Sequence, residues 1–342
     1  MRIGVVASLV TPLGEAQLGG AQAFLTDLAR ALSARGHEVA VYCAEGSALE
    51  GLRLRTTPAP EGAHRALVMP AGAPPPALPG LRDAFARLFQ AVRDDSCDAV
   101  SQHAFDAEAI ELADDLPVLH TLHLPPLVPA VVAAATRAHA PFVTVSAAMR
   151  TAWAGAGLET ITVIPNGVPA FAVPSVPVRR QALVAGRVSP EKGTAVAIQV
   201  ARRAGFEPLL VGGVYDHAYW QREVRVATAA VARRELWRLM AGSAVTLLPV
   251  AWDEPFGLIA AEAQMAGCPV AGYRRGGLPE VVEEGVGGFL VEPEDEEALV
   301  EAAGLAAALD RAQVRASALR RLDVGRAAAV YEAALAAVSR CR

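Results

Sequence analysis

Aromatic side chains make up only 5% of this 342-residue chain, and its four Trp give no sign of the ring-lined platform a polysaccharide surface would need. Cysteine is as scarce. Cys43, Cys97, Cys268 and Cys341 are widely scattered, and no pair has zinc-ligand or redox spacing. The first three read as small buried apolar residues, and the fourth lies in the tail. Positive charge is not in excess: the formal net charge is −5 and the pI is near 5.9, which gives no overall basic field for nucleic acid. Mean hydropathy is positive, yet no uninterrupted apolar run reaches the ~20 residues needed to span a bilayer. A local basic patch that touches a membrane surface stays open. Met1–Val10 lacks a small-residue cleavage site, and Thr11-Pro12 before a Gly-rich turn reads as strand then loop, so a cytoplasmic protein is expected. The acid runs at Asp94-Asp95, Asp114-Asp115 and Glu294–Glu297 contain no Asp-x-Asp motif, so no metal ligand is assigned.

What is present is a regular alternation. Short Val/Ile/Leu/Ala runs interleave with helical patterns over almost the whole length, which argues an α/β class with doubly wound parallel sheets. Strands are expected at Arg2–Ser8, His37–Cys43, Asp98–Ser101, Val118–Leu122, Phe142–Val145 and Thr160–Ile164. After the Pro-rich stretch Pro165–Pro177, read as an interdomain linker, a second series begins. It comprises strand Ala182–Ala185, helix Pro190–Arg203, and strands Pro208–Val211, Val245–Val250, Pro269–Ala271 and Phe289–Val291. A second Pro-rich stretch, Pro58–Gly80, reads as a long surface loop. The reading is two tandem Rossmann-like domains with a central cleft between them.

The segment Asp253-Glu254-Pro-Phe-Gly257-Leu258-Ile-Ala-Ala-Glu262 carries the most chemistry. Two carboxylates eight residues apart flank a Pro-Phe-Gly helix start. With Pro255 in the first turn, Glu254 falls just outside the helix and Glu262 two turns inside, roughly 12 Å along the axis. Between them the N–H groups of Gly257 and Leu258 favour an anion. An acid, an anion cradle and a second acid in line suit a nucleotide-diphosphate sugar: sugar hydroxyls, pyrophosphate, ribose diol. The segment follows an apolar strand, and ligands of open parallel sheets sit at the carboxyl ends of strands.

Several further blocks, in order along the chain, resemble the retaining GT-B glycosyltransferases of family 4 (glycosyltransferase group 1). They are Gly19-Gly20-Ala-Gln, Thr121-Leu-His123, Val143-Thr-Val-Ser146, Ile164-Pro-Asn-Gly-Val168, Gly186-Arg187-x4-Lys192-Gly193, the Glu254/Glu262 segment, Gly276-Gly-Leu-Pro279-Glu280 and Gly287-Gly-Phe-Leu-Val291. The resemblance implies a GT-B fold, with 1–168 as the acceptor-binding domain, rejoined by a helix from about 320–342, and 180–319 as the donor-binding domain. It implies no cofactor beyond a donor substrate of UDP- or GDP-sugar type. It assigns Arg187, Lys192 and the amides of Gly257 and Leu258 to the donor pyrophosphate. Glu262 goes to the ribose, Glu254 to donor-sugar hydroxyls, and His123, with the Gly19-Gly20 helix start, to the reacting groups. It implies retention by front-face substitution, with helix dipoles and cations in place of a metal. Tyr215–Ala232 is shorter than the matching segment of many members, which leaves the base open. The Ala/Arg/Pro/Gly-heavy composition is what a GC-rich bacterial gene yields. A compact transferase of this type fits antibiotic or other specialised oligosaccharide assembly, and the chain resembles transferases of orthosomycin (avilamycin-type) pathways. Two other functions would use the same scaffold. A nucleotide-sugar epimerase would need an additional acid pair that does not stand out, and a non-catalytic subunit would be expected to have lost Arg187, Lys192, Glu254 or Glu262.

Overall fold

The computed structural model describes residues 1–14, 19–63 and 78–340. The chain forms two compact units, Met1–Pro165 with Val324–Arg342, and Asn166–Asp323. Most of the Pro58–Gly80 stretch, and Cys341, lie outside the described residues.

The first unit is a seven-stranded sheet. Its strands are β1 (Arg2–Val6), β2 (Glu38–Ala44), β3 (Arg53–Thr57), β4 (Ala99–Gln102), β5 (Val118–Leu122), β6 (Phe142–Thr144) and β7 (Ile161–Val163). All pair in parallel, in the order β3-β2-β1-β4-β5-β6-β7. Parallel strands need covered faces, and the buried runs of β1, β4 and β5 reflect this. Helices α1 (Gly20–Ala34), α2 (Leu81–Asp94), α3 (Ala107–Glu111), α4 (Pro129–Arg137) and α5 (Ala147–Gly155) supply the cover. In α1 the residues Phe24, Leu25, Leu28 and Leu32 recur at helical spacing and all are buried. Burying one such side chain contributes about 1.5–3 kcal/mol. The edge strand β3 was not foreseen: its sequence, Arg-Leu-Arg-Thr-Thr, turns mostly polar groups outward.

The second unit is a five-stranded parallel sheet in the order β12-β11-β10-β8-β9. Here β8 is Arg179–Ala185, β9 Glu207–Val211, β10 Ser243–Leu248, β11 Val270–Tyr273 and β12 Gly288–Val291. The expected helix from Pro190 opens instead as a 3-10 turn, Pro190–Lys192, before α6 (Thr194–Arg203). The left-handed Gly193 between them breaks the run. After β9 come α7 (His217–Tyr219), a π-helical turn at Trp220–Val224 and α8 (Arg233–Gly242). The remaining helices are α9 (Leu258–Met265), α10 (Leu278–Val281), α11 (Glu296–Ala307), α12 (Arg311–Arg321) and α13 (Val324–Arg340). Helix α13 belongs to the first unit, where Tyr331 and Leu335 join the core formed by β1 and α1. Among the described residues no helix is long and apolar enough to cross a membrane. Cys43 and Cys268 are buried, whereas Cys97 is only partly buried, its Sγ 3.4 Å from the Tyr42 hydroxyl.

Candidate active site

In each unit the strand order reverses once, between β1 and β4 in the first and between β8 and β10 in the second. The crevice at the carboxyl ends of such a strand pair is where open α/β sheets bind ligands.

In the second unit, the loop after β8 brings Arg187 and Lys192 to that edge and the loop after β10 brings Glu254. The Ala251 N–H donates to the Glu191 carbonyl at 2.9 Å and ties the two loops together. Lys192 Nζ then donates to Glu254 Oε2 at 2.6 Å, and the Trp252 indole N–H donates to the same oxygen at 2.8 Å. The ammonium sits 4.6 Å from the Trp252 ring centroid, within cation–π range. Behind the acid, Gly276 (φ 55°) lies so close that a Cβ would fall 2.3 Å from the Glu254 carbonyl oxygen. The Gly277 N–H donates to that oxygen at 2.7 Å. This is the physical reason for the Gly-Gly pair: it grips the backbone of Glu254.

The helix begins later than the sequence suggests. Gly257 is the N-cap at φ 95°, ψ 52°, and α9 starts at Leu258, so Pro255 belongs to the loop. A left-handed residue cannot continue a helix backwards to Pro255. Glu262 is therefore about one turn inside, ~6 Å along the axis from Leu258 at 1.5 Å per residue. The first intrahelical bond runs from the Ala261 N–H to the Gly257 carbonyl, which leaves the first-turn N–H groups, Leu258 included, pointing out of the helix end. Glu262 is only 3% exposed, and its Oε1 accepts from Arg233 Nε at 2.5 Å and Trp237 Nε1 at 3.2 Å. Arg187 leans on Glu191 (3.6 Å) and lies 5.6 Å from the Tyr215 ring centroid. Lys192 and Glu254 thus meet directly, whereas Glu262 is held by α8 instead. Trp252, Arg233 and Trp237 were missed. Trp252 immediately precedes the acidic motif, and Arg233 and Trp237 share one helix face at i,i+4 spacing, which was the available signal.

In the first unit, Gly19 is the extended N-cap of α1 and Gly20 its first residue. One turn on, the Phe24 ring edges against His123, centroids 5.9 Å apart. His123 follows β5 and is 5% exposed. Its Nε2 is 2.9 Å from Nδ1 of His103, a residue the sequence reading did not single out, and Ser101 Oγ is 2.8 Å from His103 Nε2. Among the described residues the Ser101 hydroxyl has no other acceptor for its proton, so it donates to His103. His103 then carries its proton on Nδ1 and donates to His123, which leaves His123 protonated on Nδ1. That Nδ1 is buried without a partner among the described residues. Burial lowers the His123 pKa to about 4 and holds His103 well below the ordinary range, helped by its histidine neighbour. Both rings are neutral near pH 7. His120, on the same strand, stacks on Phe142 (4.8 Å) and is buried elsewhere in the sheet. Asp106, beyond β4, is 3.4 Å from the Ser8 hydroxyl, and burial pushes its carboxyl up to about 7. Among the described residues no three His, Cys, Asp or Glu side chains gather as a metal site.

Two parallel α/β units, the first closed by the last helix, define the GT-B architecture. Residues 18–170 match the family described as Glycosyltransferase Family 4, and 172–317 match Glycosyl transferases group 1. The chain thus carries a glycosyltransferase family domain in each half, on a GT-B fold. It is 47% identical over 62 residues to a D-inositol 3-phosphate glycosyltransferase of Streptomyces griseus, which covers 18% of this chain and 13% of that protein. It is 34% identical over 173 residues to glycogen synthase of Mycobacterium tuberculosis, covering 45% of this chain and 40% of the relative. The chain thus spans well under half of the curated relatives it matches. Among solved structures, AviGT4, a glycosyltransferase involved in avilamycin A biosynthesis, superposes with a TM-score of 0.76 at 23% identity, covering 100% of this chain and 98% of that one. Anabaena Alr3699/HepE in complex with UDP-glucose gives 0.73 at 21% identity, with 98% and 100% covered.

Proposed function

We propose that the protein is a retaining, metal-independent glycosyltransferase that moves a hexosyl or pentosyl group from a UDP- or GDP-sugar to a hydroxyl of a small-molecule or oligosaccharide natural product. In this reading the second unit binds the donor, the first binds the acceptor, and the work is cytoplasmic. One observation carries it. Lys192 is the only lysine in a chain with thirty arginines, and it stands at the β8/β10 switch point against Glu254. Where composition has favoured arginine throughout, a lone lysine marks a place that wants a compact, strongly hydrated point charge rather than a planar fork. A diphosphate at a helix N-terminus is such a place.

Breaking the bond to the anomeric carbon puts charge on the diphosphate. Lys192, Arg187 and the N–H groups that open α9 would stabilise that charge, fixed in advance by the loops that hold them. In the second unit Glu254 would orient donor-sugar hydroxyls; in the first, His123 would offer a neutral N–H donor. The leaving phosphate would take the acceptor proton on the same face. The HepE complex with UDP-glucose supports a nucleotide-sugar donor, and AviGT4 supports an antibiotic-type acceptor.

A thermal-shift panel of UDP, GDP, ADP and dTDP, with and without EDTA, tests the donor half. One nucleotide should raise the Tm, by the equivalent of about 2.7 kcal/mol at a hundred times its Kd, with or without chelator. No response to any nucleotide would overturn the reading, and a response lost on chelation would overturn the metal-free part. Conversion of the donor without any acceptor would point to an epimerase.

A further inference from the structure

The α8 face that holds Glu262 has no role in the function argued so far. Arg233 and Trp237 lie four residues apart on it, and both donate to one oxygen, Oε1. Two hydrogen bonds fill the in-plane lone pairs of a carboxylate oxygen. Among the described residues no side chain engages Oε2.

The hold is braced in a closed ring. Trp237 stacks on Phe171, centroids 3.9 Å apart and planes at 2°. The Phe171 carbonyl accepts from Arg315 Nη2 at 2.6 Å, and the Arg315 guanidinium lies 5.6 Å from the Phe171 ring centroid. Arg315 Nη1 in turn donates to the carbonyl of Met265, the last residue of α9 and so of the helix that carries Glu262. The carboxylate is thus fixed from its own helix round through Trp237 and back. A buried acid needing only charge balance would be served by Arg233 alone. The added indole N–H on the same oxygen selects one rotamer and one free edge.

We propose that Arg233 and Trp237 are positioning residues that saturate Oε1 of Glu262 and leave Oε2 as the acceptor for a ribose hydroxyl, so that they set the discrimination between ribo- and 2′-deoxyribonucleotides. This rests on the donor-site reading of Glu262. Neither residue touches the nucleotide; each acts through the carboxylate.

The test is calorimetric titration of UDP, GDP and ADP against their 2′-deoxy counterparts. The wild type should prefer the ribonucleotide it binds by roughly ten-fold or more, the range for one hydrogen bond to a charged group. In Arg233→Lys and Trp237→Phe that ratio should fall to within about two-fold. Trp237→Phe keeps the stack on Phe171, so its ratio decides the matter if Arg233→Lys is shown by circular dichroism to be unfolded. A merely structural pair would weaken both nucleotide forms by the same factor, and a ratio preserved in the folded variants overturns the inference. A wild type that binds none of the three ribonucleotides overturns the donor reading as well, and so the two failures are told apart.

Discussion

Lys192 and Arg187 lie in one loop but in different surroundings, and under the proposed function substitution should expose the difference. The Lys192 ammonium contacts the Glu254 carboxylate and lies 4.6 Å from the Trp252 ring centroid, a compact point charge that a planar, forked guanidinium does not reproduce. Lys192→Arg should therefore weaken binding of the stabilising nucleotide at least ten-fold while the Tm of the unliganded protein moves little; an unchanged Kd would refute the point-charge argument. Asp106 gives a pH prediction. Its folded pKa, about 7, lies above the ordinary value, so the folded state keeps a proton that the unfolded chain releases between about pH 4 and 7. Stability from this group falls as pH rises through that window. Asp106→Asn removes the effect without loss of a cap bond, because the Asp106 side chain makes none. The difference in Tm, variant minus wild type, should grow from pH 5 to pH 8. The buried His103, His120 and His123 give the opposite slope below pH 6.5, but they are common to both proteins and cancel in the difference. A difference flat with pH would show that the carboxyl is not held protonated.

At the scale of elements, the loop Arg274–Gly277 clamps the Glu254 loop that follows β10, and Gly276→Ala is its probe. The added methyl would meet the Glu254 carbonyl and the residue would stay left-handed, which by itself costs about 1–2 kcal/mol. Gly285→Ala is the control, with φ 73° and open space around its Cβ. Both variants should lose stability, but only Gly276→Ala should lose nucleotide binding, by ten-fold or more; equal binding in the two would mean that the clamp does not matter to the site. Elements also show what the sequence could reveal. Strand β5 was legible to the residue because it opens and closes on apolar side chains, Val118-Leu119 and Leu122, in a run interrupted only by His120 and Thr121. Strand β3 was not, because an edge strand with exposed arginines has no such run. The start of α9 was placed three residues early because proline favours a first turn, and only the backbone reveals that Gly257 is left-handed. Lys192 and Glu254 were readable from motif spacing. Their partners at Glu262 were not, since Arg233 and Trp237 reach it across 29 and 25 residues of chain.

At the scale of the whole molecule, the first unit is discontinuous in sequence. Tyr331 of α13 is fully buried against Phe24 and His103, and its hydroxyl meets Thr121 at 3.1 Å. Tyr331→Ala should cost about 3–5 kcal/mol by the size of the hole it leaves. Hydrogen exchange should rise in α1, β4 and β5 and stay unchanged in β8–β12; a rise spread evenly over both sheets would count against separate cores.

That arrangement sets an order of assembly during synthesis. Residues 166–323 hold all five strands of their own sheet and can pack as soon as they clear the ribosome, whereas the earlier-made segment must wait for α13 to fill its core. Until then the surface of α1 that Tyr331 and Leu335 will cover stays open to water and to chaperones. The half translated first is the half completed last.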